Sequence, residues 1–450
     1  MKMTKRILAL ALAVFMVATL AACGGDGDKS TVGGDGVDYL ATVNDQQTAL
    51  FGDLSGTKLR VADDVVLAEW EENFYKQLEE STGMTVEIEP MGSNELMTKV
   101  AQAVASGDTR NYFDVCDIVN STILNAVYGN LIIPMDQYVY YDDPVWKYSD
   151  AADFNCLDLF KLDDHFYGAP SHGYHETFIY YNKTYFEEMQ VPDPYTEYYL
   201  KDNWTFETFL EVCEKVTKKA ADGTVEVAAW ATWNYFSFAA AAGNSLIQQN
   251  DKGKWDVIFD QPNGMAGLNV LYECAKNGWL DTATSGYEEF VNRKIAMIME
   301  KPSSAMGTTE AYSRMSDEIG LVPYPKMNKE QEKYIAPMSC SGYAITACAQ
   351  NPAGAAAYIY YHRVGEQERD KSESGQKNLL RFCDEEATER RNEYIAKCDF
   401  SMYMIDGLTG WYSENRKLFL NKIFKDQQNP ATVVDSLRPL IADSLRKTVG

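Results

Sequence analysis

Residues Leu59 to Ile88 read LRVADDVVLAEWEENFYKQLEESTGMTVEI, and this stretch decides the fold class. Leu59, Val61 and the run through Val66 are apolar and β-branched, which predicts a first strand. From Glu69 to Glu80 the large apolar residues Trp70, Phe74 and Leu78 recur at four-residue spacing, one face of a helix. Gly83 stops that helix, since glycine takes a left-handed cap without steric cost. Val86 and Ile88 then alternate with polar neighbours as a second strand. Strand, helix and strand in this order make a βαβ unit.

The same grammar continues outward. Ser93 or Asn94 opens a helix carrying Leu96, Met97, Val100 and Val104 on one side, stopped near Gly107, and Phe113 to Val119 is a third strand. Phe178 to Tyr181 reads as a strand. Thr205 caps a helix with Phe206, Phe209, Leu210, Cys213 and Val216 on its apolar face. Val225 to Trp230 is a strand, Trp233 to Ile247 a largely buried helix, and residues 264–276 a helix ended by Gly278. Ile295 to Met299 and Gly320 to Val322 are further strands, and the C-terminal tail is helical and charged. Alternation of this kind predicts an α/β protein with mostly parallel sheets flanked by helices.

The chain has 450 residues, 41 Lys+Arg against 66 Asp+Glu and a formal net charge of −25, the wrong sign for a nucleic-acid partner. Its length exceeds what one core usually reaches, so more than one folded unit is expected. Lys2, Lys5 and Arg6, the apolar run Ile7 to Leu20 and the small pair Ala21-Ala22 predict a signal peptide over residues 1–22. That run is too short for a confident membrane span. Leu20-Ala21-Ala22-Cys23 resembles the bacterial lipobox, which implies a lipid on Cys23 and a protein anchored on the extracytoplasmic face of the cell membrane. The glycine-rich residues that follow lack a preceding strand and a Gly-Lys-Ser/Thr, so residues 23–49 read as a flexible tether rather than a phosphate cradle. The folded body is expected from about residue 50. Eight more cysteines follow Cys23, none in a CxxC pair; they read as core thiols, with disulfide pairing left open.

Longer motifs carry a resemblance. Glu80-Ser81-Thr82-Gly83-Met84-Thr85-Val86, Ala105-Ser106-Gly107-Asp108 before Phe113-Asp114-Val115, and Gly129-Asn130-Leu131-Ile132-Ile133-Pro134-Met135-Asp136 occur in order. Tyr167-Gly168-Ala169-Pro170, Tyr180-Tyr181-Asn182-Lys183-Thr184-Tyr185-Phe186, Trp204-Thr205-Phe206-Glu207, Phe290 to Met297 and Asn351-Pro352 follow. Over roughly residues 55–365 this order resembles the bacterial extracellular solute-binding proteins of the carbohydrate class, the maltose-binding-protein type that feeds ABC importers. The resemblance implies a two-lobed periplasmic-binding-protein-like fold of type II, with three hinge crossings near Ser171–Tyr174, Val322–Pro325 and Val364–Gln367. Lobe 1 would then hold residues 50–171 and 323–365, and lobe 2 residues 172–322 and 366–450. It further implies a monomeric binding protein with no cofactor, delivering a solute, an oligosaccharide first of all, to an ABC permease.

No nucleophile elbow, P-loop or dinucleotide fingerprint is present, so no enzyme is expected. His172-Gly173-Tyr174-His175-Glu176 does not carry a metal reading, because the histidines are three apart with Gly173 between them and Pro170 just before. His175 and Glu176 are instead candidates for hydrogen bonds to ligand hydroxyls. Sugars pack their C–H faces on flat rings, which makes Trp230, Trp233 and Tyr235 beyond a strand candidates. Trp411 and Tyr412 fall where the family tends to place a second-lobe ring. Polar strand ends supply Asp63, Asp64, Asp117, Asn120 and Ser121, with Ser341 and Tyr343 as further cleft candidates. The acids would equally hold an ammonium group, so a cationic or peptide ligand stays open, with a lipid-anchored hydrolase as the remaining alternative. After the Ala-Met strand the family often places an aromatic; here Lys301 stands instead, which leaves room for a smaller or charged ligand.

Overall fold

Two β-sheets organise the chain. A computed structural model describes residues 36–63, 69–90, 93–107, 112–149, 152–232, 235–282, 286–300, 315–372, 385–401, 407–408, 410–411 and 415–450. In chain order the first elements are β1 (Lys58–Asp63), α1 (Glu69–Thr82), β2 (Thr85–Pro90), α2 (Ser93–Ser106), β3 (Val115–Val119), α3 (Ile123–Tyr128), β4 (Ala169–Glu176) and β5 (Phe178–Asn182). There follow α4 (Phe206–Val216), β6 (Val225–Ala231), α5 (Ser237–Ala241), β7 (Ile247–Gln249), β8 (Trp255–Val257), α6 (Pro262–Lys276), β9 (Leu280–Asp281), β10 (Ile295–Glu300) and β11 (Ile319–Val322). The chain ends with β12 (Ile335–Thr346), α7 (Pro352–Lys371), α8 (Glu385–Lys397), β13 (Asp399–Ser401), α9 (Arg416–Phe424) and α10 (Pro430–Val449).

The first sheet runs β13–β12–β3–β1–β2, with β4 also paired to β12. β1 is parallel to both β2 and β3, placing Val61 beside Ile88 and Val115. Its burial follows from composition: Leu59, Val61 and Ala62 have no exposed surface, and Phe74 and Leu78 of α1 are equally buried. The second sheet carries β6–β10–β5–β11, with β9 against β6. β6 is parallel to β9 and β10, whereas β5 is antiparallel to both β10 and β11. Both sheets are thus mixed: β12, antiparallel to β3, and β5, antiparallel to β10, run against the parallel sets. α4 covers the second sheet, opened by a capping box in which the Thr205 backbone N–H donates to Thr208 Oγ1 at 2.9 Å. α5 and α6 approach closely at Gly267, where a Cβ would overlap the Ala239 backbone.

Three crossings differ from the sequence expectation. β4 pairs with β12 along residues 169–176, so the chain leaves the first sheet at Thr177, whose N–H donates to Pro337 O at 2.8 Å, rather than at 171–174. After β11 the chain stays with the second sheet: Trp204 Nε1 donates to Pro323 O at 2.8 Å and Gln331 Nε2 to Ala241 O at 3.1 Å. It returns beside Tyr334. No crossing occurs at 364–367, because α7 is one unbroken helix packed on the first sheet, and β13 rejoins that sheet beside β12. The crossings fall where the strand ladder runs out of partners, a property of pairing that local composition does not encode.

The tether is shorter than expected. Tyr39 is 1% exposed, its ring 5.7 Å from Trp70 and 6.5 Å from Phe74, and Gln77 accepts from its N–H at 2.9 Å. Gln47 is fully buried, donating to Tyr138 O at 2.6 Å and accepting from Tyr140 N at 2.7 Å. Residues from Val37 onward therefore strap the first lobe. The helix expected over 233–247 shrinks to α5, since Gly243 takes a left-handed φ of 75° and Ile247 starts a strand.

Candidate ligand cleft

Strand directions locate the cleft. β1 and β3 end at Asp63 and Val119, and Val119 lies opposite Ser341 of antiparallel β12. The first half of β12 therefore extends past the ends of β1 and β3, towards Thr177 and the second sheet. There, Glu300 at the end of β10 pairs with Phe178, the first residue of β5, and parallel β6 ends alongside at Ala231. The carboxyl ends of both parallel sets face the gap that the connections span, which is where open α/β sheets bind ligands.

Of the expected residues, Asp117, Ser121, Tyr235 and Ser341 lie at or beside these strand ends. Asp117 is 6% exposed on β3, in register with Tyr343, while Ser121 and Ser341 are half-buried. Asn120 lies in a single turn, Asn120–Thr122, and His175 and Glu176 pair through β4 with Ser339 and Met338; for these three the backbone alone is described. Cys23, Asp64, Trp233, Lys301 and Tyr412 lie outside the described residues.

Four expected contacts turn inward instead. Asp63 is 1% exposed and accepts a short hydrogen bond from Tyr343 Oη. Tyr343 is itself fully buried, its ring 5.3 Å from Tyr358 and 5.1 Å from His362. Burial, then the neighbouring Tyr358 and Asp63, push its hydroxyl far above the ordinary tyrosine range, so it stays a donor. Trp230 has no exposed surface and sits edge-on to Phe238 at 5.4 Å and Phe209 at 6.0 Å. Trp411 is likewise buried, 6.0 Å from Phe236 and 6.3 Å from Phe419. Trp230 was placed from its strand, but side chains stand perpendicular to a strand and so enter the layer beneath it; Trp411 was placed by the family resemblance, and its ring instead closes the aromatic cluster of Phe236 and Phe419.

Tyr235 remains half-buried, with its ring 5.0 Å from Phe424 and the Arg416 guanidinium 6.0 Å from its centre. Burial raises its hydroxyl, Arg416 opposes that, and Asp281 adds to it. Asp281 and Arg416 were not expected at this site. Asp281 carried a signal, an acid ending a two-residue strand after Gly278; Arg416 in the charged tail carried none. Together a phenol, a carboxylate and a guanidinium offer donors and acceptors to a polar solute. Among the described residues no His, Cys, Asp and Glu group of three could hold a metal ion, and no helix is long and apolar enough to cross a membrane. The seven described cysteines are free thiols, six of them buried.

The fold has relatives among solved structures. An ABC substrate-binding protein from Listeria monocytogenes, solved with cycloalternan, is 15% identical with a TM-score of 0.62, covering 87% of this chain and 98% of that one. The protein CpMnBP1 with mannotriose bound is 16% identical with a TM-score of 0.62, covering 87% and 100%. A cyclo/maltodextrin-binding protein complexed with maltotetraose is 14% identical with a TM-score of 0.59, covering 87% and 97%. These likenesses carry the two-lobed, type II periplasmic-binding-like fold. No curated protein matches the sequence. Residues 73–377, more than half of the chain, match the family described as bacterial extracellular solute-binding protein; the chain belongs to that family.

Proposed function

We propose that this protein is the lipid-anchored receptor of an ABC importer, capturing an oligosaccharide outside the cell membrane and handing it to the permease as a monomer, with no catalysis of its own. The observation that carries this reading is the pair of facing strand-end sets, in a fold whose solved relatives hold oligosaccharides. Binding works through closure about Thr177 and Tyr334, with ligand favouring the closed population that the permease recognises. Asp117, Asn120, Ser121 and Ser341 serve from the first lobe, with His175 and Glu176 of β4. Tyr235, Asp281 and Arg416 serve from the second; Asp64, Trp233, Lys301 and Tyr412 stand as ligand candidates on the sequence alone.

Calorimetry and thermal shift on the chain from Gly24 onward test this against maltotetraose, mannotriose, amino acids, peptides and polyamines. A saccharide hit is expected. Silence to every saccharide beside a clear polyamine or peptide hit refutes the sugar. The anchor is tested separately: palmitate labelling in a bacterial host should be lost in Cys23→Ala, and equal labelling of that variant refutes it.

A further inference from the structure

The hinge is not the sole junction between the lobes. α3 follows β3 directly and is buried on two sides: Ile123 and Ala126 join the apolar cluster that holds Val61, Val115 and Ile345 of the first sheet, whereas Leu124, 0% exposed, packs with residues of the second lobe. Leu162 joins Leu124 there, against a cluster that includes Phe236, Trp255, Leu408 and Val433. At the far end of α3, Tyr128 Oη accepts from Trp255 Nε1 at 2.9 Å and donates to Asp163 Oδ2 at 3.0 Å. The second oxygen of Asp163 accepts from Gln249 Nε2 at 2.8 Å. Tyr128 and Asp163 belong to the first lobe, Gln249 and Trp255 to the β7–β8 hairpin of the second. At the near end Gly407 lies so close to the Ser121 carbonyl that a Cβ would overlap it. The contact thus runs from the strand-end rim of the cleft to the end of α3.

We infer that this contact, centred on the Tyr128 hydroxyl, is a latch that holds the lobes together and raises ligand affinity without touching ligand. Its sense follows from its near end: Gly407 meets Ser121 at the mouth of the cleft, so lobes that part there must break it. A ligand that needs the apposed lobes binds more weakly when their population falls. The inference rests on the proposed two-lobe binding function. Tyr128 acts as a positioning residue.

The test uses the chain from Gly24 onward carrying Tyr128→Phe, which removes both hydroxyl bonds, or Gln249→Ala, a milder surface change should the first not fold. Tyr141→Phe removes a hydroxyl bond to Asp158 inside the first lobe and serves as control. Small-angle scattering of each without sugar should give a larger radius of gyration for Tyr128→Phe and Gln249→Ala, with Tyr141→Phe at the wild-type value. Maltotetraose affinity by calorimetry should fall about 3- to 10-fold in Tyr128→Phe, the equivalent of a lost neutral hydrogen bond. Wild-type dimensions in both latch variants overturn the inference, as does unchanged or tighter sugar binding. If the wild type binds no saccharide, the proposed sugar has failed on its own account and scattering alone decides the latch.

Discussion

Tyr343→Phe separates two readings of the acid at the end of β1. Asp63 and Tyr343 were both candidates to meet ligand; in the structure they meet each other, both buried, with Tyr343 Oη donating to the Asp63 carboxylate. Behind them Tyr358 Oη lies 3.1 Å from Tyr75 Oη, so the substitution cuts into a buried polar chain. Removing a hydrogen bond to a charged partner costs about 1.5–3 kcal/mol. At about 2–4 °C per kcal/mol for chains of roughly half this length, and less for longer ones, the melting temperature should fall by a few degrees. Urea unfolding of wild type, Tyr343→Phe, Asp63→Asn and the double variant should give a coupling of about 1 kcal/mol or more, as expected of residues in contact. Sugar affinity should move little in folded Tyr343→Phe. Wild-type stability together with a tenfold loss of affinity would refute this reasoning and return the hydroxyl to the ligand.

Asp114 is fully buried and accepts from Arg60 N at 2.9 Å, Gln350 N at 2.7 Å and Asn351 N at 2.8 Å, tying β1 to the start of α7. Asp114→Ala orphans three backbone donors at about 1 kcal/mol or more each, so chemical denaturation should show a loss of about 3 kcal/mol or more. Asp317 accepts from Arg293 Nε at 2.7 Å and Asn182 Nδ2 at 2.6 Å, and the Arg293 bonds hold its carboxyl below the ordinary range. Its contribution is present above the unfolded carboxylate value of about 4 and is lost as pH falls through the lower folded value. Asp317→Asn should therefore flatten the acid limb of a urea-midpoint profile between about pH 2 and 5, and an unchanged limb would count against the pair. Trp411→Leu should cost a few kcal/mol as a buried aromatic truncated among Phe236 and Phe419, with sugar affinity preserved; a selective loss of affinity in the folded variant would restore the ring to the cleft.

Periodicity is a local signal, and where local preference governed, the reading was sound. β1, α1 and β2 form where Leu59, Trp70, Phe74, Leu78 and Ile88 predict them, and α4 begins at its Thr205 cap. The strap from Val37 was missed because its anchors, Tyr39 and Gln47, are isolated residues in a glycine-rich lead, each held by partners far along the chain. Trp230, Trp411 and Tyr343 share another cause: a residue's position along the chain is readable, but which layer its side chain enters depends on the facing elements.

By itself the sequence determined the α/β class and the solute-binding family, through short-range periodicity, caps and motif order; its acidic charge argues against a nucleic-acid partner. The tertiary structure decided where the chain crosses between sheets, that Asp63 answers to Tyr343, and that Tyr235 meets Arg416 near Asp281. It also brought Tyr128 and Asp163 against Trp255 and Gln249, residues about 90 to 130 positions apart. Such contacts arise from sheet register and lobe packing, in which each residue's partner is chosen by the placement of whole elements rather than by its neighbours in sequence.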